Sequence, residues 1–304
     1  MISFQSIMFR ILSTVILYNS KISDSETLQS LLDIELNDSV CLTLNIWNNG
    51  PSLLDERDVS DYKKIAASKN IMVAVYQDIR NVALSKIYNF IIKKDCFDFF
   101  IPLDQDTEIS KDYFKIISNH AELDIMLPLV YSGEDYTDIK FPFNIASKQV
   151  IVHEEELNVA AVTSVTSGLV ISNRLVKLFA DKALNVFDER FAFYGIDTVF
   201  FLNIHELSDK NNIKCGCFGK IKHSLSTYVE ESGQASYRRR MEFLYYALLY
   251  RLNYKGKSRL SILSLILARL FTGRIRDFKG VKNALYCLFY KQHPRSAINI
   301  SLNK

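Results

Sequence analysis

Two aspartates separated by one residue, Asp104 and Asp106, follow the apolar run Phe99–Leu103. Side chains at i and i+2 of an extended chain point the same way, so both carboxylates face one side. Such a pair can share a divalent cation with the oxygens of a diphosphate. A third carboxylate, Asp197, lies among Phe191, Phe193, Tyr194, Phe200 and Phe201. Burial there would raise its pKa. It also precedes an apolar run, where Asp is a favoured helix N-cap. His223 is a lone imidazole, either structural or a further ligand. The five cysteines, at 41, 96, 215, 217 and 287, form no C-x-x-C pair, and Cys215-Gly-Cys217 is too tight for the usual zinc spacing. They read as the reduced thiols of a cytosolic protein.

Positioning these groups takes a core, and the composition supplies one. The chain has 304 residues, 48% hydrophobic and 23% charged, with only 10 Gly and 5 Pro, which excludes a disordered or collagen-like chain. Leu12–Tyr18, Val40–Trp47, Ile71–Tyr76 and Phe99–Leu103 read as strands. Ser25–Leu36, Tyr62–Ser68 and Asn81–Ile92 read as the helices between them. That alternation implies a doubly wound, mostly parallel α/β sheet, whose ligands sit at the carboxyl ends of the strands. Polar residues stand at all four ends: Tyr18-Asn19, Asn48-Asn49, Asp78 with Asn81, and Asp104 with Asp106. Further apolar runs follow at Ile125–Val130 and Ala160–Ser172. From about residue 236 the pattern is helical, with Met241, Leu244, Tyr245, Leu248, Leu249 and Leu252 on one face. The opening segment, MISFQSIMFRILSTVILYNS, lacks the basic start and small-x-small site of a signal peptide. No apolar run reaches the 18 or so residues that a membrane span needs.

The ordered set of motifs resembles family-2 glycosyltransferases of the GT-A fold. Its parts are Tyr18-Asn19 after the first strand, Asn48-Asn49-Gly50-Pro51-Ser52, the Asn81–Asn89 segment, FFIPLDQDT, Ser167–Ser172, FDERFAFYGIDTVFF, and His223-Ser224. The match covers about residues 12–225, and the spelling LDQDT is closest to bacterial rhamnosyltransferase-like members. The resemblance implies a GT-A catalytic domain over 1–228, with a nucleotide-sugar half to about 108 and an acceptor half beyond it. A basic amphipathic helical region would occupy 229–304. It further implies that Tyr18, Asn19, Asn48, Asn81, Lys86, Asn89 and Asp104 surround the donor. Asp104, Asp106 and His223 would hold Mg or Mn, Asp188 and Glu189 would orient the acceptor, and Asp197 would be the base of an inverting transfer. The donor would be a nucleoside-diphosphate sugar, rhamnose or a hexose, and the acceptor a lipid-linked precursor of a bacterial surface polysaccharide such as O-antigen or capsule.

The net charge of +3 conceals a partition. Residues 1–209 carry 18 Lys/Arg against 30 Asp/Glu, whereas residues 210–304 carry 19 against 4. The basic part includes Arg238, Arg239, Arg240, Arg259, Arg269, Arg274 and Arg276 around the apolar run Ser261–Phe271. Too short to span hydrocarbon, that run suits either an interfacial helix on an anionic membrane at the cytoplasmic face, or ordinary packing on the catalytic domain with a solvated basic face. No nucleic-acid motif accompanies the charge, so a nucleic-acid partner is not expected. Three other readings of the acids exist. A haloacid-dehalogenase-type phosphatase would need its Asp-x-Asp near the chain start. A nucleotidyltransferase would need a Gly/Lys/Arg-rich loop after the first strand. A degenerate transferase would serve as a non-catalytic glycan-binding or assembly subunit, in keeping with Asn48 and Ile196 where acids are commoner.

Overall fold

The computed structural model describes residues 8–132, 137–224 and 233–302. Phe9–Leu17 (β1), Val40–Asn48 (β2) and Ile71–Gln77 (β3) pair in parallel, and β1 also pairs in parallel with Phe99–Asp104 (β4). The last seven residues of β1 are buried, as expected of a central parallel strand covered on both faces. Its side chains divide by parity. Leu12 and Ile16 enter one core, while Ile11, Val15 and Leu17 enter the other. Helices α1 (Glu26–Leu32), α2 (Glu56–Ser68) and α4 (Tyr113–Asn119) fill the second core, and α3 (Leu84–Lys94) fills the first. The sheet is therefore wound on both sides, in agreement with the α/β reading.

Helix ends explain most boundary differences. The α1 helix begins at the expected cap, Ser25, whose hydroxyl accepts from Leu28 N. In α2 the expected start was Tyr62, but Asp55 caps the helix by accepting from the N–H groups of Arg57 and Asp58. The capped turn is polar and half-exposed, so it carries no apolar period to read.

Beyond β4 the sheet becomes mixed. A short strand, Thr107–Ile109 (β5), leads through α4 to Ile125–Ser132 (β6), with Asp138–Phe141 (β7) paired to it antiparallel. Phe143–Asn144 (β8), Gln149–Val150 (β9) and Val162–Thr163 (β11) form a small separate sheet, and Glu155–Leu157 (β10) joins the main edge. Val170–Ser172 (β12) inserts antiparallel between β4 and β6, and Cys215–His223 (β13) runs parallel to β6. The apolar stretch at 160–172 is thus a 3₁₀ turn followed by two short strands rather than one element. Between β12 and β13 lie α5 (Asn173–Asp181) and α6 (Ile196–Ser208).

Three more helices, α7 (Gly233–Asn253), α8 (Arg259–Phe271) and α9 (Phe278–Tyr290), add Met241, Tyr245, Leu248, Ile262, Ile266, Ala284 and Cys287 to the same core that holds Phe187, Val199 and Phe200. The chain end is then tied across the sheet. Ser301 N donates to Asp78, Arg80 to Asn299 O, and the Lys86 ammonium to Ser296 O and Ile298 O. The boundary at 228/229 lies outside the described residues.

Asn49, 1% exposed at the end of β2, donates to Val82 O at 3.0 Å and accepts from Val82 N at 2.8 Å. Asn49→Ala would strand both peptide groups in the core. It should lower stability by about 2–3 kcal/mol, read as a reduced denaturation midpoint with an unchanged slope.

Candidate functional site

Strand register builds the site. Leu17 lies opposite Asn48, Ile16 opposite Asp104, and Asn48 opposite Gln77, so four strands end on one line. The ends are laced together. Tyr18 N donates to Gln105 Oε1 at 2.8 Å, Asn19 N to Gly50 O, and Asp78 N to Asn48 O. Two adjoining cavities open over this edge. One, of about 440 Å³, is bounded by Tyr18, Asn81, Asp104, Asp106 and His223 from the sheet and by Arg238, Glu242 and Arg295 from the C-terminal region. The other, of about 260 Å³, contains Asp197, Tyr194, Phe243 and Tyr246. Asp104, Leu84, Phe193 and His223 border both.

Asp104, Asp106 and His223 offer one carboxylate oxygen each and a ring nitrogen, all within 4.8 Å of one another. His223 Nε2 is 3.5 Å from Asp104, and Nδ1 is 3.5 Å from Asp106. The ring is oriented by a buried relay. Nδ1 is hydrogen-bonded to Thr107 Oγ1 at 3.1 Å, which is bonded to Ser167 Oγ at 2.7 Å, and Ser167 accepts from Asp104 N. Burial pushes both carboxyls above the ordinary Asp range. His223 opposes that shift in each, while Asp197 adds to it at Asp104 and Asp104 adds to it at Asp106. Crowded, partly buried carboxylates beside an imidazole with a fixed ring are a donor set that fits a divalent cation, and the Thr107–Ser167 relay is the outer shell such a site needs.

Asp197 lies in the first turn of α6. The helix is capped by Gly195, so Asp197 does not serve as its N-cap. Its carboxylate accepts from Thr198 N at 2.7 Å. Burial raises this carboxyl above the usual range. Gly195 has φ +86°, and a Cβ there would lie 2.2 Å from the Tyr246 ring, so α7 packs directly over the start of α6. That close approach sets the wall of the Asp197 cavity.

The remaining expected site residues divide into two groups. Tyr18, half-exposed, and Asn81 border the larger cavity, and Asn81 Oδ1 accepts from Arg295 at 2.7 Å. The others are engaged elsewhere. Asn19 is exposed at the turn after β1 with φ +51°. Asn48 donates to Ser52 O and Gln77 and accepts from Gly50 N, holding its own turn. Asn89 donates to Phe187 O and Glu189 and accepts from Phe187 N, joining α3 to the segment before α6. Lys86 is held by the chain end. Asp188 pairs with Arg190 and accepts from Tyr254 at 2.7 Å; burial opposes its ionisation, but these partners hold its carboxyl below the usual range.

Several cavity residues carried little sequence signal. Arg238 and Glu242 are four apart on α7, on a polar stripe beside the apolar one. Glu242 is bound by Arg295 at 2.7 Å and faces His293 Nε2 at 3.3 Å. Arg238, at the cavity rim, has no hydrogen-bond or ion-pair partner among the described residues. The i, i+4 spacing on a helix was readable; that this helix would cover the strand ends was not.

The fold is of the GT-A glycosyltransferase type. Among solved structures, a fragment of S. aureus TarS (residues 1–349) in complex with UDP superposes with a TM-score of 0.53 at 14% identity, covering 91% of this chain and 81% of that one. GalNAc-T7 with UDP, GalNAc and Mn2+ gives 0.53 at 11% identity, covering 92% of this chain and 59% of that one. The chain spans about half of the longer TarS structure, which it matches at 0.51 and 14% identity. No family model matches the sequence, and no curated protein matches it either.

Glu242 gives the site a measurable acid dependence. Burial raises its carboxyl, but His293 close by and the Arg295 charge outweigh this and hold it at about 2. A depressed carboxyl contributes stability that is complete above its unfolded pKa, near 4.3, and is lost as pH falls toward 2. Burial also lowers His293, so its protonation on acidification acts in the same direction. Between about pH 5 and pH 2 the protein should lose some 2–3 kcal/mol on this account. Thermal melts of Glu242→Gln across that range should be flatter than those of the parent chain.

Proposed function

We propose that the protein is an inverting, metal-dependent glycosyltransferase. It moves a sugar, rhamnose or a hexose, from a nucleoside diphosphate to a lipid-linked precursor of a bacterial surface polysaccharide. The observation that carries this reading is the Asp104–Asp106–His223 cluster at the strand ends, with Asp197 in the adjoining cavity, on a GT-A fold. The larger cavity suits the donor, with Tyr18 and Asn81 beside the nucleoside and Arg238 at the rim for the anionic diphosphate. Asp104, Asp106 and His223 would hold Mg or Mn, which when bound offsets the charge developing on the departing diphosphate.

Asp197 takes the proton of the acceptor hydroxyl as that oxygen forms its bond to the anomeric carbon. The bond from that carbon to the diphosphate oxygen breaks in the same displacement, inverting the centre. The raised carboxyl suits the task, because a stronger base carries more of the proton in the transition state. Tyr194, Phe243 and Tyr246 wall the cavity and keep bulk water from competing with the acceptor. Asp188 and Glu189, anchored to Arg190, Tyr254 and Asn89, hold the loop that leads into α6.

The C-terminal helices suit a membrane face. Leu260 is 79% exposed, Phe271 88% and Phe278 83%, with Arg259, Arg274, Arg276 and Lys279 close to them in sequence. Among the described residues no helix is long and apolar enough to cross a membrane. An interfacial attachment to anionic lipid at the inner face accounts for that combination of exposed aromatics and cations.

Donor turnover, followed as nucleoside diphosphate release with Mn or Mg, tests the site. Asp197→Asn should cut turnover by about 10²–10⁴-fold while leaving nucleotide affinity within about twofold; an unchanged rate would remove Asp197 from the chemistry. In the parent enzyme the rate should fall on acidification through a pKa above the ordinary Asp range near 4, because only the carboxylate accepts a proton. The triple substitution Leu260→Glu, Phe271→Glu and Phe278→Glu should weaken sedimentation with phosphatidylglycerol vesicles by about tenfold or more. Retention equal to that of the parent chain would place the membrane contact elsewhere.

A further inference from the structure

A second basic site lies between α7 and α8, outside the donor and Asp197 cavities. Arg240, Met241, Phe243 and Leu244 of α7, Arg269 of α8 and Arg274 just beyond α8 border a groove of about 480 Å³ with no acidic side chain in its lining. Arg240 donates to Ser236 Oγ. The guanidinium groups of Arg269 and Arg274 have no hydrogen-bond or ion-pair partner among the described residues. Three guanidinium groups around one groove, with no ion-pair partner among the described residues, repel one another until an anion sits between them, and their planar forks match phosphate oxygens. The apolar floor adds a second requirement, a hydrocarbon portion on the same ligand. Exposed Leu267, Leu270 and Phe271 continue that apolar character at the same end of α8.

One residue joins this groove to the chemistry. Phe243 lines the groove and also borders the cavity that holds Asp197, where its ring stacks on Tyr194 at 3.8 Å. We infer that the groove binds the phosphate group of the lipid that carries the acceptor, so that the acceptor sugar passes Phe243 and presents its hydroxyl to Asp197. This assignment rests on the glycosyltransferase reading. It is preferred to a bulk phospholipid because a purely anchoring headgroup gains nothing from sharing a wall with the catalytic cavity.

The test uses the full chain and farnesyl phosphate as a short soluble lipid phosphate, titrated calorimetrically with EDTA present so that metal-dependent nucleotide binding is silent. Binding should weaken about tenfold in Arg269→Gln and again in Arg274→Gln, with farnesol showing no comparable affinity. UDP, GDP and dTDP titrations with Mn2+ should be unchanged in both variants. Equal affinity of parent and variants for farnesyl phosphate, or equal binding of farnesol, would overturn the groove as a phosphate site. Displacement of farnesyl phosphate by phosphatidylglycerol vesicles at equal phosphate would make it a general membrane contact and overturn the acceptor assignment. Failure of the parent chain to bind any of the three nucleotides would instead overturn the transferase reading and the acceptor assignment together.

Discussion

Parallel pairing of β1 with both β2 and β4 is the constraint on which the rest depends. A one-residue slip in either pairing would exchange the two faces of a strand buried on both sides, moving Leu12 and Ile16 into the wrong core. With register held by burial, the first polar residue after each strand must emerge at the same edge. Asp104, Asn49 and Tyr18 are therefore neighbours through hydrophobic packing far from them. Their own interactions refine the edge, as where Gln105 accepts from Tyr18 N, but do not create it.

The acidic cluster illustrates what that packing imposes. Asp104 and Asp106 come from one strand end and His223 from the end of another, and β13 reaches them because it pairs with β5 through His223 and Thr107. The same pairing places Thr107 where it fixes the His223 ring. Ser167, on the loop before β12, closes the relay to the backbone of Asp104. Three chain segments thus meet at two carboxylates whose charge is opposed by burial. An arrangement of this kind is costly without a compensating cation, and the raised carboxyl pKa values express that cost.

Much of this was legible in the sequence because strands buried on both faces announce themselves. Ile71–Tyr76 and Phe99–Leu103 are continuous apolar runs, and Val40–Trp47 is interrupted only by Thr43 and Asn45; each is followed at once by polar residues, which locates an α/β edge without any structure. Side-chain amides were harder. Asn48 and Asn89, expected beside the donor, border neither cavity; their hydrogen bonds go to backbone and to Gln77 and Glu189, partners set by turns and by a segment about a hundred residues distant. Lys86 meets the chain end for the same reason: nothing in its surroundings along the chain reveals that residues 296–299 return to it. Short elements such as β8, β9 and β11 are two residues each and carry no period to detect.

The partition of charge along the chain acquires a structural meaning from that return. Residues 210–304 are basic, and a tail serving only to dock would keep its cations on an outer face. Instead α7 turns Arg238 and Glu242 toward the larger cavity over the strand ends, and the turn after α9 adds Arg295, which bridges Glu242 and Asn81. Glu242 is neutralised by its own neighbours, so the net contribution of this wall to the cavity is Arg238. The acid-rich sheet edge and this guanidinium therefore face one another across the cavity with opposite charge. The remaining cations on α8 and beyond it lie outside that cavity, close in sequence to exposed Phe271 and Phe278, so charge and apolar surface are left uncovered on the same part of the chain.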